Sequence, residues 1–309
     1  MKAIRIFIAA VLGTAALCLA GCAVSFGAGS TYPNADKYTA GDREITGQIH
    51  ALEIDWPSGA VTVRTDSTET VTVKETTKAE LSENQKVHTW VDGDTLHVQF
   101  CKSGSNYTKK EPKTVEITLP ESVGLETLEI DVASADVDCT GISAKTAQLD
   151  ASSGDLSFDG SADAFKGNAS SGDIHFTGKA DRIETNTSSG QIAISQSGQS
   201  ALISADASSG DITVSAEQAD QVKTNTSSGK HEIRLQAVPQ ETTVNTSAGD
   251  VRLYLPEQAD LTARISTASG DVNFELPMSK TADDTYVCGS GSNSLKISTS
   301  SGDISILKN

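Results

Sequence analysis

The chain has 309 residues, 5% of them aromatic, and a formal net charge of −17. That balance excludes nucleic acid as a partner, because phosphates demand clusters of Lys and Arg. Ser, Thr, Gly and Asp fill the interior without a helical apolar stripe, which points to one extended all-β unit.

The first element is "MKAIRIFIAAVLGTAALCLAGC", where Lys2 and Arg5 precede an apolar run from Ile6 to Ala20. The run is shorter than the stretch of about 20 residues that crosses a bilayer, and its flanks are those of a signal peptide. Its end, Leu19-Ala20-Gly21-Cys22, resembles the lipobox of bacterial lipoproteins. The resemblance implies removal of residues 1–21 and acylation of the Cys22 thiol. The mature protein would then be extracytoplasmic, lipid-anchored at the bacterial cell membrane. It would carry 22 cations against 41 acids, a charge of −19, which suits a soluble surface repelled by anionic membranes and polymers. Residues 22–43, rich in Gly, Ser, Asp and Pro without periodicity, read as a flexible tether.

Residues 44–131 hold longer, irregular strand patterns such as "HALEIDW", "AVTVRT", "TLHVQF" and "TVEITLP". They are predicted to form broad N-terminal rungs that also cap that end, since an open end invites edge pairing. Within them "CKSGSNYTKKEPK" (Lys102, Lys109, Lys110, Lys113, with Tyr107) is a cationic patch in an acidic chain. It reads as a solvated hairpin loop, with contact to an anionic polymer as the functional alternative.

From residue 132 to residue 309 one phrase recurs, from "LDASSGDLSF" to "ISTSSGDISI". Its corner glycines are Gly154, Gly172, Gly190, Gly210, Gly229, Gly249, Gly270 and Gly302, separated by 18, 18, 20, 19, 20, 21 and 32 residues. Such a period is the mark of a solenoid. Ala135 and Gly59 mark earlier, degenerate corners. Before each glycine, positions −7, −5 and −3 are apolar or small, as in Ile203, Ala205 and Ala207; after it, +2 and +4 are apolar, as in Ile212 and Val214. The two sets differ in parity, so the chain must bend at the corner, where Gly takes a positive φ cheaply. The prediction is a β-solenoid (β-helix) of stacked Ser-x-Gly-Asp rungs of about 19 residues, spaced about 4.8 Å apart. Asp150, Asn168, Asn186, Asp206, Asn225 and Asn245 at −4 would form a hydrogen-bonded ladder. The insertion 277–294 is expected to cover the last rungs.

These rungs, with "WPSGAVTVRT" and "ITLPES", resemble the bacterial putative-adhesin, β-strand-repeat domain of unknown function, from Ile45 to the C-terminus. The resemblance implies a β-solenoid envelope protein, some relatives being linked to cell-envelope stress responses. It carries no ligand-binding or catalytic residues to this chain.

Chemistry is sparse. The corner Asp recurs at 155, 173, 211, 250, 271 and 303, but Gln191 and Lys230 interrupt it. Each Asp is expected to accept corner amides, against the alternative of a cation ladder. A Ser repeated at every corner cannot be uniquely activated as a nucleophile. His50, His88 and His97 lie in the N-terminal part and His175 faces outward. His231 occupies an inward +2 position, read as a buried, hydrogen-bonded histidine or a local bulge. No His-x-x-x-His or Cys-x-x-Cys spacing occurs, so no metal, cofactor or catalytic residue is assigned. Cys139 should point inward and Cys101 outward. In a sequential stack Cys288 would sit on the order of 34 Å from Cys139, far beyond disulfide reach. The reading is a lipid-anchored, non-enzymatic surface solenoid for binding, adhesion or envelope sensing, with an envelope polymer or protein as ligand. The alternatives are a β-helix carbohydrate-active enzyme, which needs long convergent loops, and a structural spacer.

Overall fold

The computed structural model describes residues 31–309, so the signal segment 1–21 and Cys22 lie outside the described residues. Most of the described residues are strand, coiled into one parallel β-solenoid. Strand Leu156–Ser171 pairs in parallel with Ile174–Ser189, which pairs with Ile192–Ser209, which pairs with Ile212–Ser228.

The alternation breaks at each corner. Around Gly210, Ala207 is buried, Ser208 and Ser209 both face out, and Ile212 is buried again. Gly210 has φ 156°, and a Cβ there would lie 1.7 Å from the Gly190 carbonyl oxygen of the rung below. Glycine is required because backbone stacks directly on backbone. Ala135 turns without a positive φ and keeps its methyl in the core. Across each corner the amides bond upward, as from Gly172 to the Ser189 carbonyl at 3.0 Å and from Ile174 to that of Gln191 at 2.9 Å.

Inside, columns of like residues stack along the axis. Leu156, Ile174, Ile192 and Ile212 share one column and are at most 1% exposed, each burial being worth about 1.5–3 kcal/mol. Phe158 stacks on Phe176 at 5.8 Å with Phe165 beside both. Cys139 continues the Phe158 column. Cys139 and Cys288 are buried free thiols and Cys101 is a half-buried one.

Rung order departs from the sequential stack at both ends. Strand Asn293–Ser301 lies between Glu241–Ala248 and Leu261–Ser269, so the Gly302 rung stands between those of Gly249 and Gly270. The hairpin of Ser279–Ala282 and Thr285–Cys288 lies antiparallel on Leu261–Ser269 and covers that edge. Cys288 therefore sits one rung farther from Cys139 than a sequential order would put it. At the other end, Ala51–Asp66 stands between Leu125–Ser153 and an outermost rung made of Thr95–Gln99 and Thr114–Pro120. Antiparallel strands Val71–Thr76 and His88–Asp92 close it.

Two readings of the N-terminal part change here. Within the segment expected as tether, residues 31–43 pack on the cap. Thr39–Ala40 pairs with His88 and Thr89, and the Tyr32 hydroxyl donates to the Cys101 carbonyl at 3.0 Å. In the basic loop Lys102, Lys109 and Lys110 are exposed, but Lys113 is fully buried. It takes the corner place of the outermost rung, beneath Gly59. Its ammonium donates to the Gln85 and Phe100 carbonyls, pairs with buried Glu75, and faces the Trp56, Phe100 and Tyr107 rings. Burial pushes its pKa down, with Glu75 opposing. A lone aliphatic ammonium finds such a site only where the desolvated charge has an anion, carbonyls and π faces together.

Candidate functional site

The repeated polar residues are bound into the backbone. Asp155 Oδ1 accepts the Asp173 amide at 2.8 Å, Asp173 accepts that of Gln191 at 2.7 Å, and Asp211 accepts that of Lys230 at 2.8 Å. Each of these carboxylates caps the next corner, and Gln191 and Lys230 interrupt the series: their own amides are accepted from below, but neither side chain accepts the amide of the rung above. Among the described residues no three His, Cys, Asp or Glu converge as a metal site.

The histidines do not converge either. His50 meets Asp94 at 3.1 Å, His88 Nδ1 lies 2.9 Å from the Lys86 carbonyl, and His175 is exposed. His231 does point inward, at 1% exposure, but neither ring nitrogen has a hydrogen-bond partner. Burial pushes its pKa down to about 4, the nearby Asn245 backbone opposing only partly. Two concavities formed by described residues bear on the question. One, of about 380 Å³, is floored by Asp42, Glu75 and Lys86. The other, of about 200 Å³, lies among the short returns near Asp163, Lys179 and Asp181. Neither joins a nucleophile to a base.

The −4 column forms the predicted ladder in two runs, parted between the register partners Asn186 and Asp206, and extends below it. Asn168 donates to Asp150 at 2.6 Å, Asn186 to Asn168 at 3.2 Å, Asn225 to Asp206 at 2.7 Å and Asn245 to Asn225 at 2.8 Å. In the lower rungs the column continues through Asp131 and Asp55 to Gln99, which donates to Asp55. Beside it Glu129 stacks on Glu53, whose carboxylate meets His97 Nδ1 at 2.9 Å. Asp131 has its pKa pushed up to about 7, first by burial and then by Asp150, Asp55 and Glu129. Burial likewise raises Asp55 and Glu129.

Against this carboxylate field lies an aromatic strip. Trp90 stacks on His97 at 5.1 Å, Tyr38 is 5.6 Å from Trp90, and Tyr32 is 4.7 Å from Tyr38. The Lys37 ammonium sits 4.5 Å over the Trp90 ring. All four rings are partly exposed. Burial raises the Tyr38 pKa, and Tyr32, Asp55 and Glu53 raise it further; its ring lies 6.5 Å from that of His97, which joins the strip to Glu53. Flat apolar faces next to acceptor oxygens suit a ligand with C–H faces and many hydroxyl donors, and they repel anions. Sequence reasoning passed over this face because Tyr32 and Tyr38 stand in the segment read as tether. Two of the chain's five tyrosines in so short a stretch were the available signal.

A family model described as Toastrack DUF4097 matches residues 49–307. No curated protein matches the chain. Among solved structures, a putative adhesin from Parabacteroides distasonis aligns at 14% identity over 88% of this chain and 97% of its own, with a TM-score of 0.46. A second protein of that organism, named a putative lipid binding protein, aligns at 16% identity with the same coverages and a TM-score of 0.39. A putative adhesin from Bacteroides fragilis aligns at 11% identity, again over 88% and 97%, with a TM-score of 0.36.

Proposed function

The chain belongs to the Toastrack DUF4097 family, and from that premise we propose that it is a lipid-anchored, non-enzymatic module of the bacterial envelope that binds a neutral, hydroxyl-rich polymer. The observation that carries this reading is the continuity of the Tyr32–Tyr38–Trp90–His97 strip with the carboxylate and amide column of the lower rungs. Stacking rings supply affinity that does not depend on charge, while Asp and Gln side chains accept and donate to hydroxyls. The charge of −19 beyond residue 22 disfavours anionic polymers.

Position supports the same reading. Lipid on Cys22 would lie ten residues before Tyr32, a span of at most about 35 Å of extended chain. The binding face would then work close to the membrane, where the wall polymer is anchored or made.

Insoluble chitin, a neutral polymer of N-acetylglucosamine, is the probe. Full-length chain should co-sediment with it, and Tyr38→Ala or Trp90→Ala should weaken binding at least about tenfold, as for an interface anchor. Tyr254→Ala, on the far rungs, should leave it unchanged. Equal binding by all three variants would remove the face as the site; no binding by the parent chain would favour a spacer.

A further inference from the structure

Residues 293–309 fill a slot whose two walls come earlier in the chain. One wall is Glu241–Ala248 with Val251–Leu255, and the other is Leu261–Ser269 with Val272–Phe274. The chain passes from one wall to the other through residues 256–260 without entering the slot. Only after building the covering hairpin does it return and insert Asn293–Ser301 and Ile304–Lys308 between them.

Most of what holds the insert is common to every rung, and its particular contacts, such as Lys308 to Glu257, are to residues that a second copy presents equally. Its phrase "LKISTSSGDISI" is nearly that of the wall, "ARISTASGDVNF". The corner bonds are those of every rung: Gly249 donates to Ser301 at 2.9 Å, Gly302 to Ser269 at 2.9 Å, and Asp303 to Asp250 Oδ1 at 3.1 Å. Leu295, Ile297, Ile304 and Ile306, at most 3% exposed, enter columns that already run through the stack. Rungs lower in the stack are held differently, since short returns tie each to the neighbour it pairs with.

The insert joins the covering hairpin through Gly289-Ser290-Gly291-Ser292, where both glycines have left-handed φ, 68° and 81°. One side chain holds this hinge. Asp260 accepts the Gly291 amide at 2.6 Å and the Ser290 and Ser292 hydroxyls at 2.7 and 2.9 Å, while its carbonyl accepts Asn293 Nδ2 at 2.8 Å.

The geometry points to strand exchange between copies: residues 293–309 leave their own slot and fill the same slot of a second copy of this chain, with Asp260 as the latch that slows release. Exchange remakes every corner bond and every buried column, so apart from the opened Asp260 hinge the exchanged dimer loses only the freedom of association. A flexible, glycine-containing hinge lets the segment reach outward without strain.

Asn245 and Ser298 are register partners across the slot. Full-length chains carrying Asn245→Cys and Ser298→Cys separately, both with half-exposed Cys101 changed to Ser, are mixed, incubated a few degrees below melting, and oxidised. Mass spectrometry of unreduced peptides should find 245–298 bridges between chains, and Asp260→Ala should raise their rate of formation at least tenfold. Asn168→Cys in place of Asn245→Cys should give none. The wild-type cysteine background with Asp260→Ala alone gives a second reading, a dimer on native mass spectrometry that persists after dilution. Exchange is ruled out if the Asn245→Cys/Ser298→Cys double variant bridges only within one chain, mixed singles give no bridge, and Asp260→Ala stays monomeric.

Discussion

His231 occupies a +2 position filled by Ile212 and Val251 in the adjoining rungs, so its imidazole is a polar ring in an apolar column. The folded state keeps it neutral down to about pH 4, whereas the unfolded chain takes up the proton below about pH 6.5. Stability is therefore present above about pH 6.5 and falls as pH drops toward 4, by at most about 1.4 kcal/mol per unit. His231→Leu should flatten that slope, stabilising by about 1–2 kcal/mol above pH 6.5 because two unpartnered nitrogens leave the core, and by more as pH falls toward 4. Asp131 tilts the other way. Its pKa is raised to about 7 against about 3.9 unfolded, so its contribution is complete below about pH 4 and lost as pH rises through 7. Asp131→Asn should stabilise above pH 7 by about 1 kcal/mol, the half-exposed site being screened, and do nothing at pH 4. Urea titrations from pH 4 to 8 check both; parallel pH profiles for parent and variants would refute the assignments.

At the scale of the element, the N-terminal cap depends on a corner that breaks the rule of the others. Lys113 stands where later rungs have glycine, and it spans from the outermost rung to Glu75 on the antiparallel strand Val71–Thr76. Lys113→Met should strand a buried carboxylate and cost about 3–5 kcal/mol. Adding Glu75→Met should recover most of that loss, since an apolar pair of similar volume replaces a costly ion pair. Chemical denaturation of the three chains makes the comparison, and a double variant as weak as the single would mean that the pair contributes net attraction. The corner Asp residues are a milder device, each but the outermost Asp271 holding one amide of the next rung, and their repetition compensates for the small worth of each.

The whole molecule is a rod built by repetition, closed at both ends by rungs out of chain order. Antiparallel strands block one end and a hairpin the other, so few parallel edges remain open to another sheet. Among the described residues no helix is long and apolar enough to cross a membrane. The proposed anchor is the lipid on Cys22. Cys22→Ser should leave the precursor unprocessed or shift the chain from the detergent phase to the aqueous phase in a partitioning assay. Unchanged processing and partitioning would overturn the lipid anchor.

Period, parity and corner chemistry were legible in the sequence because they are local: a residue two positions from a glycine faces the core whichever rung lies above it. The same locality hid the order of the rungs. Every corner offers the same amide and carboxylate, so nothing in "STSSGDI" says whether its neighbour is the Gly249 or the Gly270 rung. The covering hairpin and the Asp260 hinge place it between them, and only the folded chain shows that. Lys113 read as a solvated loop lysine because Glu75, Trp56 and Phe100, which neutralise and enclose it, come from distant parts of the sequence. Tyr38, Trp90 and Glu53 form one face for the same reason. Repetition is written in short range, but the sites that differ from it are assembled by tertiary contacts across strands that the repeat does not specify.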